Sequence, residues 1–459
     1  MNQQLLFDFV HDFNANWVGP ILSVILLFTG LYYTIRLGFV QRYFFLAIRR
    51  LVGGGRKGKA SRSEGITPFQ ALSAAVASQA GTVNIVGVAT ALMSGGPGAL
   101  FWMWISSLLG MATNFSEAVL GQLYRTKRMN HAVGGPAFYI RQGLKSRVLA
   151  AIFAIFGILS LGLMGTMVQA NSIVDSLASF LPAGVNKLYI GIPLALLIFS
   201  VLAGGVTRIV AFAERIVPFM ASLFILGAMV YIGLRAEAVP GVFREIFQYA
   251  FTPYAAAGGV AGTVVMQTIR YGISRGLFSN EAGLGSTPHA HAIAQVKRPY
   301  DQGLVALLGV GTTLIICTLS GLVILLSGVL QTRPDLQGVE IAQTAFLGTF
   351  GVWGKYFVGI ALFFFAFTTS VGWYFFAAQN MRYLCGDLLI WPLRAAVAVM
   401  VVLSSVTEVS LVWELADTFN FFLVIPNVIA LLFLSPHVIR EAKRLHLQVR
   451  EERMAKRGS

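Results

Sequence analysis

Six consecutive residues, Gln79-Ala80-Gly81-Thr82-Val83-Asn84, gather two side-chain amides and a hydroxyl around a glycine inside the small-residue run Ala74 to Leu92. A helix broken there frees backbone groups on both sides of the gap. The N–H groups of Thr82 and Val83, at the start of the outer half, then face the cavity and suit a carboxylate. The carbonyls that end the inner half, around Ala77 and Ala80, point the other way and suit a cation or an ammonium. A small-residue packing helix is the alternative, but Gln79 and Asn84 add polar groups that packing does not require. Thr368-Thr369-Ser370, followed by Gly372 and Trp373 in an aromatic run, offers hydroxyls, which are hard ligands suited to a small cation such as sodium. Bonds from those hydroxyls to the i−4 carbonyl are the competing use. Gln169 and Asn171 serve either as interhelical glue or as substrate contacts.

A second stretch of the same character, Gly262 to His291, reads GTVVMQTIRYGISRGLFSNEAGLGSTPHAH. Gly272, Gly276, Gly283 and Gly285 lower its helix propensity, Arg270 and Arg275 are costly in lipid, and Ser279-Asn280-Glu281 can end or restart a helix. Backbone released from a helix is tolerated at membrane depth only where it is buried in protein or lines a cavity. Two Gly-interrupted hydrophobic segments at corresponding places in two halves therefore point to a transporter site near the bilayer midplane. Glu117, in an apolar run, needs a partner or a proton, and a structural ion pair or helix-end bond is expected. His289 and His291 are two apart and share no helix face, so no metal pair is expected. Nothing resembles a nucleophile, a metal cluster or a phosphate loop, which argues against an enzyme.

The elements that must position these residues are membrane spans. Hydrophobic residues make up 56% and charged residues 12% of the chain, against roughly 25% charged in soluble domains. The net charge of +15 lies in the gaps between apolar runs and in the tail, which fits topology rather than a nucleic-acid partner. Cys317 and Cys385 both sit in apolar runs and imply no disulfide framework. The first residues lack a basic n-region, so the N-terminus is expected to be retained. Runs of about 20 apolar residues suffice to span a bilayer. Eleven are expected: Val18 to Leu37, the broken Pro68 to Met93, Ala99 to Leu123, Val148 to Ile173, Leu188 to Ala203, Ile216 to Leu234, the second broken span from about Ala256 to Phe278, Gly303 to Leu330, Tyr356 to Phe376, Leu388 to Ser405, and Phe419 to Leu434.

Basic loops follow the odd-numbered spans. One holds Arg42, Arg49, Arg50, Arg56, Lys57, Lys59 and Arg62, a second runs from Arg125 to His131, and a basic tail covers Arg440 to Arg457. The positive-inside rule then puts the N-terminus outside and the C-terminus in the cytoplasm. The broken spans are the second and the seventh, so two units of five helices follow one another. An odd number of spans per unit inverts the second unit against the first. The division expected is residues 1–65 for an accessory helix and basic loop, 66–236 and 237–436 for the two five-helix repeats, and 437–459 for the cytoplasmic tail. The fold class is an all-α polytopic membrane protein.

These motifs closely resemble the alanine or glycine:cation symporter family, a branch of the amino acid–polyamine–organocation superfamily. The resemblance covers nearly the whole chain. It rests on GPGALFWMWISSLLGMATNFSEA (Gly96 to Ala118), GGPAFYIRQGL (Gly134 to Leu144), RGLFSNEAGLGSTPHAHA (Arg275 to Ala292), FAFTTSVGWYF (Phe365 to Phe375) and ADTFNFFLVIPNVIALLFLS (Ala416 to Ser435). It implies a leucine-transporter-like fold in the inner (cytoplasmic) membrane and sodium-driven uptake of a small neutral amino acid, alanine or glycine, with no cofactor. The alternative is a proton-coupled carrier, or an exchanger of a different amino acid, on the same fold. Carried over, the Ala77 and Ala80 carbonyls with the Thr368 and Thr369 hydroxyls form the sodium site. Substrate lies between Gln79, Gly81, Thr82, Val83, Gln169, Gly272, Ile273 and Trp373, with Thr369 nearby, and Asn84 and Asn171 are additional polar residues of the site. The chain departs from the family pattern at Val83, where a glycine is usual, and at Gln79, where a threonine is common.

Overall fold

A helix satisfies its own backbone, so apolar runs that must avoid water become helices, and here they do so almost throughout. The computed structural model describes residues 3–54, 65–128, 131–182, 184–253 and 261–457. Helix α1 (Gln3–Phe13) continues through a π turn at Asn14–Val18 into α2 (Gly19–Arg36), so the first span begins earlier than its apolar core suggests. Helix α3 (Phe44–Gly54) follows. The first broken segment is α4 (Pro68–Gln79) and α5 (Val86–Gly95), and α6 (Ala99–Leu123) comes next. A hairpin of β1 (Thr126–Arg128) and β2 (His131–Val133) leads to the short α7 (Pro136–Gly143). Then α8 (Arg147–Gly157) runs through a π-helical stretch, Ile158–Gly165, into α9 (Thr166–Ala178).

After α10 (Leu188–Ala203), α11 (Gly205–Gly233) and α12 (Val239–Tyr249) comes the second broken segment, α13 (Ala261–Asn280) and α14 (Pro288–Ala292). The remainder is α15 (Pro299–Ser327), α16 (Val329–Thr332), α17 (Val339–Phe350), α18 (Val352–Cys385), α19 (Ile390–Ser404) and α20 (Val409–Arg457). Over its described residues, each expected span falls on a helix or on an interrupted pair. Among the described residues, six helical segments are long and apolar enough to cross a membrane: Leu5–Arg36, Arg147–Ala178, Arg208–Gly233, Pro299–Ser327, Val352–Cys385 and Val409–Ala455. Arg56, Lys57, Lys59 and Arg62, residues 129–130 of the second basic loop, and the start of the seventh span at residues 256–260 lie outside the described residues. The basic tail is the end of α20, whose buried stripe Val438, Ala442, Leu445 and Val449 docks on the body.

The first break is built locally. Thr67 caps α4 by accepting from Gln70 N at 3.1 Å while Gln70 Oε1 accepts from Thr67 N at 3.0 Å, and Pro68 fixes the first turn. The last helical bond there runs from Ala80 N to Val76 O at 2.7 Å, after which Gly81 is extended, with φ −111° and ψ −159°. One 3-10 turn at Thr82–Asn84 leads into α5. The second break lies further along than the glycines at 272 and 276 suggest: α13 passes through both and ends at Asn280. Glu281, Gly283 and Gly285 then take positive φ values of 54°, 88° and 75°, which no helix accommodates.

Helix α5 packs on α13 and α4 on α14, so the two broken segments run antiparallel, and α6, α15 and α18 enclose them. The segments also meet at one end. Ile66 N donates to Ile293 O at 3.1 Å and Gln295 N to Ile66 O at 2.9 Å, which ties the entry of α4 to the exit of α14.

Candidate functional site

At the first break the free backbone N–H of Thr82 is already taken. Both Thr82 N, at 2.9 Å, and Thr82 Oγ1, at 2.7 Å, donate to Gln169 Oε1 from α9. Glycine is required between them and α18, because a Cβ on Gly81 would lie 2.6 Å from Thr369 Oγ1 and 2.9 Å from Gln169 Oε1. On the other side of the break, Thr369 Oγ1 donates to Ala77 O at 2.8 Å. The break is therefore a junction of α4, α9 and α18 with a donor pair on one side and two oxygens on the other. Several buried polar atoms around it have no partner among the described residues: Gln169 Nε2, Thr166 Oγ1, Gln79 Oε1 and both amide atoms of Asn84. Such atoms are expensive to leave unpaired unless a ligand completes them.

The second break meets the first. Gln79 Nε2 donates to Asn280 O at 2.7 Å, and Asn114 Nδ2 reaches the same carbonyl at 3.0 Å. Gln79 thus links the ends of the two half-helices, with its oxygen against Gly309, where a Cβ would come within 2.5 Å. Glu281 is fully buried and accepts from three elements. Its Oε1 takes the Trp373 Nε1–H at 2.5 Å, and its Oε2 takes the Ser78 hydroxyl at 3.1 Å and the Ser286 hydroxyl. The Trp373 ring lies where a side chain on Gly165 would be. The π-helical stretch and the glycine before it permit that approach: a Cβ on Gly162 would lie 2.7 Å from Ala377, and one on Gly157, the last residue of α8, would lie 2.6 Å from Asn380.

The sequence-predicted residues separate accordingly. Ala77, Ala80, Gly81, Thr82, Gln169 and Thr369 come together at or beside the first break, and Val83 and Asn84 form its buried 3-10 turn. Trp373 reaches the site through Glu281. Thr368 points elsewhere, donating to Phe364 O at 2.9 Å and Phe365 O at 3.0 Å within its own helix and lying 3.3 Å from Met220 Sδ. Asn171 bonds Ser404 O at 2.8 Å and Thr407 O at 3.1 Å, which makes it glue to α19 and the turn after it. Gly272 and Ile273 are mid-helix residues of α13, not part of a break. Gly272 gives room for the Ala99 carbonyl and Trp102, so close helix packing accounts for it.

Glu117 forms no ion pair among the described residues, and its hydrogen bonds all fall on one oxygen, while Oε2 is buried without a partner among them. Its Oε1 accepts from Gly285 N at 3.0 Å and from Asn427 Nδ2 at 2.6 Å, so it anchors the loop of the second break to α20. His289 stacks between Phe153 and Phe376, while His291 meets Gln302 Nε2 at 2.7 Å. Among the described residues no group of three or more His, Cys, Asp or Glu side chains could hold a metal. Glu281 went unassigned from sequence, although an acid inside a glycine-rich membrane segment is itself a signal.

The whole arrangement suits binding rather than bond making. Donors at a half-helix start match a carboxylate, and carbonyl and hydroxyl oxygens match a small hard cation.

A family model described as the sodium:alanine symporter family matches residues 3–457. The probable sodium/glutamine symporter GlnT of Bacillus subtilis is 40% identical over 96% of this chain and 91% of its own length. The sodium/alanine symporter AgcS of Methanococcus maripaludis is 38% identical over 95% of this chain and 96% of its own. In fold, the chain is similar to the crystal structure of the Eremococcus coleocola manganese transporter, with a TM-score of 0.53 at 15% identity over 77% of this chain and 76% of that one.

Proposed function

The chain belongs to the sodium:alanine symporter family, and from that premise we propose that it carries a small neutral amino acid, alanine or glycine, into the cell with sodium by alternating access. One observation carries the reading: Gln169 Oε1 sits on both donors of Thr82, at the start of a half-helix, where a substrate carboxylate oxygen would sit. An amide oxygen is a neutral stand-in for that carboxylate. Substrate displaces it, and the freed Gln169 amide and the unpartnered Thr166 and Asn84 groups turn to the ligand. Gly81 leaves backbone room, Val83 limits the space, and Trp373 walls the far side.

Sodium takes the oxygens of Ala77, Ala80 and Thr369. In this reading Thr368 contributes by positioning α18, since its hydroxyl is spent on its own helix. The cation ties α4 to α18, which favours the state that receives substrate, and substrate then completes the contacts between α4 and α9. A ligand shifts such an equilibrium only by its differential affinity for the two states. Coupling is reciprocal, so sodium raises substrate affinity by the factor by which substrate raises sodium affinity. The two five-helix repeats are 66–236 and 237–436, and one helix bundle rocks against the other around this site. The N-terminus lies outside and the C-terminus in the cytoplasm, with the protein in the cell membrane.

The test is uptake of labelled alanine, glycine and glutamine into proteoliposomes, with and without an inward sodium gradient. Sodium-dependent accumulation of alanine or glycine is expected. Accumulation of glutamine in their place moves the substrate class, and accumulation driven by a proton gradient alone overturns the sodium site.

A further inference from the structure

Glu281 is a feature of the second break that amino-acid binding leaves unused. It is a fully buried carboxylate at the junction of three elements: Ser78 on the last turn of α4, Trp373 on α18, and Ser286 in the loop of the second break. The indole N–H can only donate, so Oε1 is an acceptor; Ser286 supplies Oε2, and Ser78 shares its one hydrogen between Oε2 at 3.1 Å and Ala75 O at 2.7 Å. Donors surround both oxygens, as the ionised form needs. Yet among the described residues no Lys, Arg or His forms an ion pair with it. A buried carboxylate without a counter-charge is expensive even when hydrogen-bonded. The backbone around it is held in a conformation that residues other than glycine rarely adopt, φ +54° at Glu281 itself. Desolvation of that carboxylate calls for a compensating charge.

The place for that charge is one residue away. Ala77 O accepts from Thr369 Oγ1 at 2.8 Å, and the next residue, Ser78, has its hydroxyl between Ala75 O at 2.7 Å and Glu281 Oε2 at 3.1 Å. Gly372 lets α18 lie against that turn, since a Cβ there would be 3.2 Å from Ser78 N. Resting on the cation site proposed above, we infer that Glu281 is the counter-charge of the coupling cation: it does not ligate the ion, but its field, set through Ser78, makes the neutral oxygens of Ala77, Ala80 and Thr369 a tight site. Those oxygens alone are a carbonyl and hydroxyl set with no formal charge. Cation occupancy and the position of the Trp373 ring are then linked through the same carboxylate, which connects the ion to the wall of the amino-acid site.

The expected size follows from charge and distance. At an effective dielectric of about 20, a unit charge at close but non-ligating range is worth on the order of 10-fold or more in cation affinity. Sodium binding is read without transport as thermal stabilisation of the detergent-purified protein against sodium concentration, with choline as the replacement cation. Glu281→Gln keeps the shape and an acceptor for Trp373 but removes the charge, and raises the half-saturating sodium concentration at least 10-fold. Ser286→Ala keeps the charge and removes one hydrogen bond, and changes that concentration less than 3-fold. Should the Gln variant not fold, Glu281→Asp, which keeps the charge, has to retain a sodium response within 3-fold of wild type.

An unchanged sodium response in Glu281→Gln overturns the inference. So does a loss in Ser286→Ala or Glu281→Asp as large as that expected of the Gln variant, because the role is then one of hydrogen bonding. Sodium-dependent uptake by the wild type, together with a Gln variant of normal sodium response, overturns this inference while leaving the transport reading standing. A wild type indifferent to sodium overturns both.

Discussion

Thr82 donates twice to Gln169, from its backbone nitrogen at 2.9 Å and from its hydroxyl at 2.7 Å, and the same residue opens the second half of a broken helix. A single side-chain oxygen thus holds both the half-helix start and the π-interrupted neighbour that carries it. The bond is the sort that a carboxylate can replace with gain, since charge-assisted bonds are roughly twice as strong as neutral ones.

Gln169→Glu places a permanent carboxylate on the Thr82 donors and repels the incoming one. Alanine uptake into proteoliposomes is expected to fall at least 100-fold. Gln169→Ala vacates the donors and keeps uptake within about 10-fold of wild type. Equal losses in the two variants would make Gln169 a fixed substrate contact and not a stand-in.

Thr368 and Thr369 are neighbours of the same type with different work. Thr369 faces the Ala77 carbonyl across the break, and Thr368 bonds back into α18. Thr369→Val should raise the sodium concentration for half-maximal uptake at least 10-fold, and Thr368→Val less than 3-fold. The measurement is sodium-dependent uptake at fixed alanine, and an equal effect of the two substitutions refutes the assignment.

How far the sequence discloses this site depends on where the information is local. The first break was legible because Gln79, Gly81 and Asn84 interrupt a short apolar run, and α4 does end at Gln79. The end of α13 was legible in Ser279-Asn280-Glu281. Gly272 and Gly276 misled, because a glycine that admits a neighbouring helix, such as Gly272 beneath the Ala99 carbonyl, looks in sequence like one that breaks its own. The difference between Thr368 and Thr369 is one of 100° around a helix, fixed only by what packs there. The convergence of Ser78 and Trp373 on Glu281 joins residues 203 and 92 positions apart, and no local pattern encodes it.

Gly165 tests the wall of the site. Its missing side chain is the space in which the Trp373 ring lies, so Gly165→Ala displaces the indole from its bond to Glu281. Overpacking of this kind costs about 1–3 kcal/mol. A lower Tm and a loss of uptake of at least 10-fold are expected together. Gly233→Ala, where an added Cβ meets nothing within 4 Å, is the control and should leave both unchanged.

The docked tail, beyond the expected span Phe419 to Leu434, gives a pH dependence. His446 Nε2 faces Leu37 O at 2.9 Å, while Nδ1 meets Tyr43 Oη at 2.8 Å and Arg42 Nη2 at 3.3 Å. With Nε2 as the donor, the neutral ring satisfies all three; a protonated ring would turn Nδ1 into a donor beside a guanidinium. Burial, helped by the charge of Arg42 and opposed by the bond to Leu37, holds the ring below its ordinary value. A group with a lowered folded value binds protons more readily when released. Its contribution to docking is therefore complete above about pH 6.5, the unperturbed histidine value, and is lost as the pH falls from there through the folded value. Hydrogen-exchange protection factors for residues 437–457 should drop several-fold between pH 7.5 and 5.5. His446→Gln should flatten that response, and a wild-type profile that is already flat would show that the ring does not hold the tail.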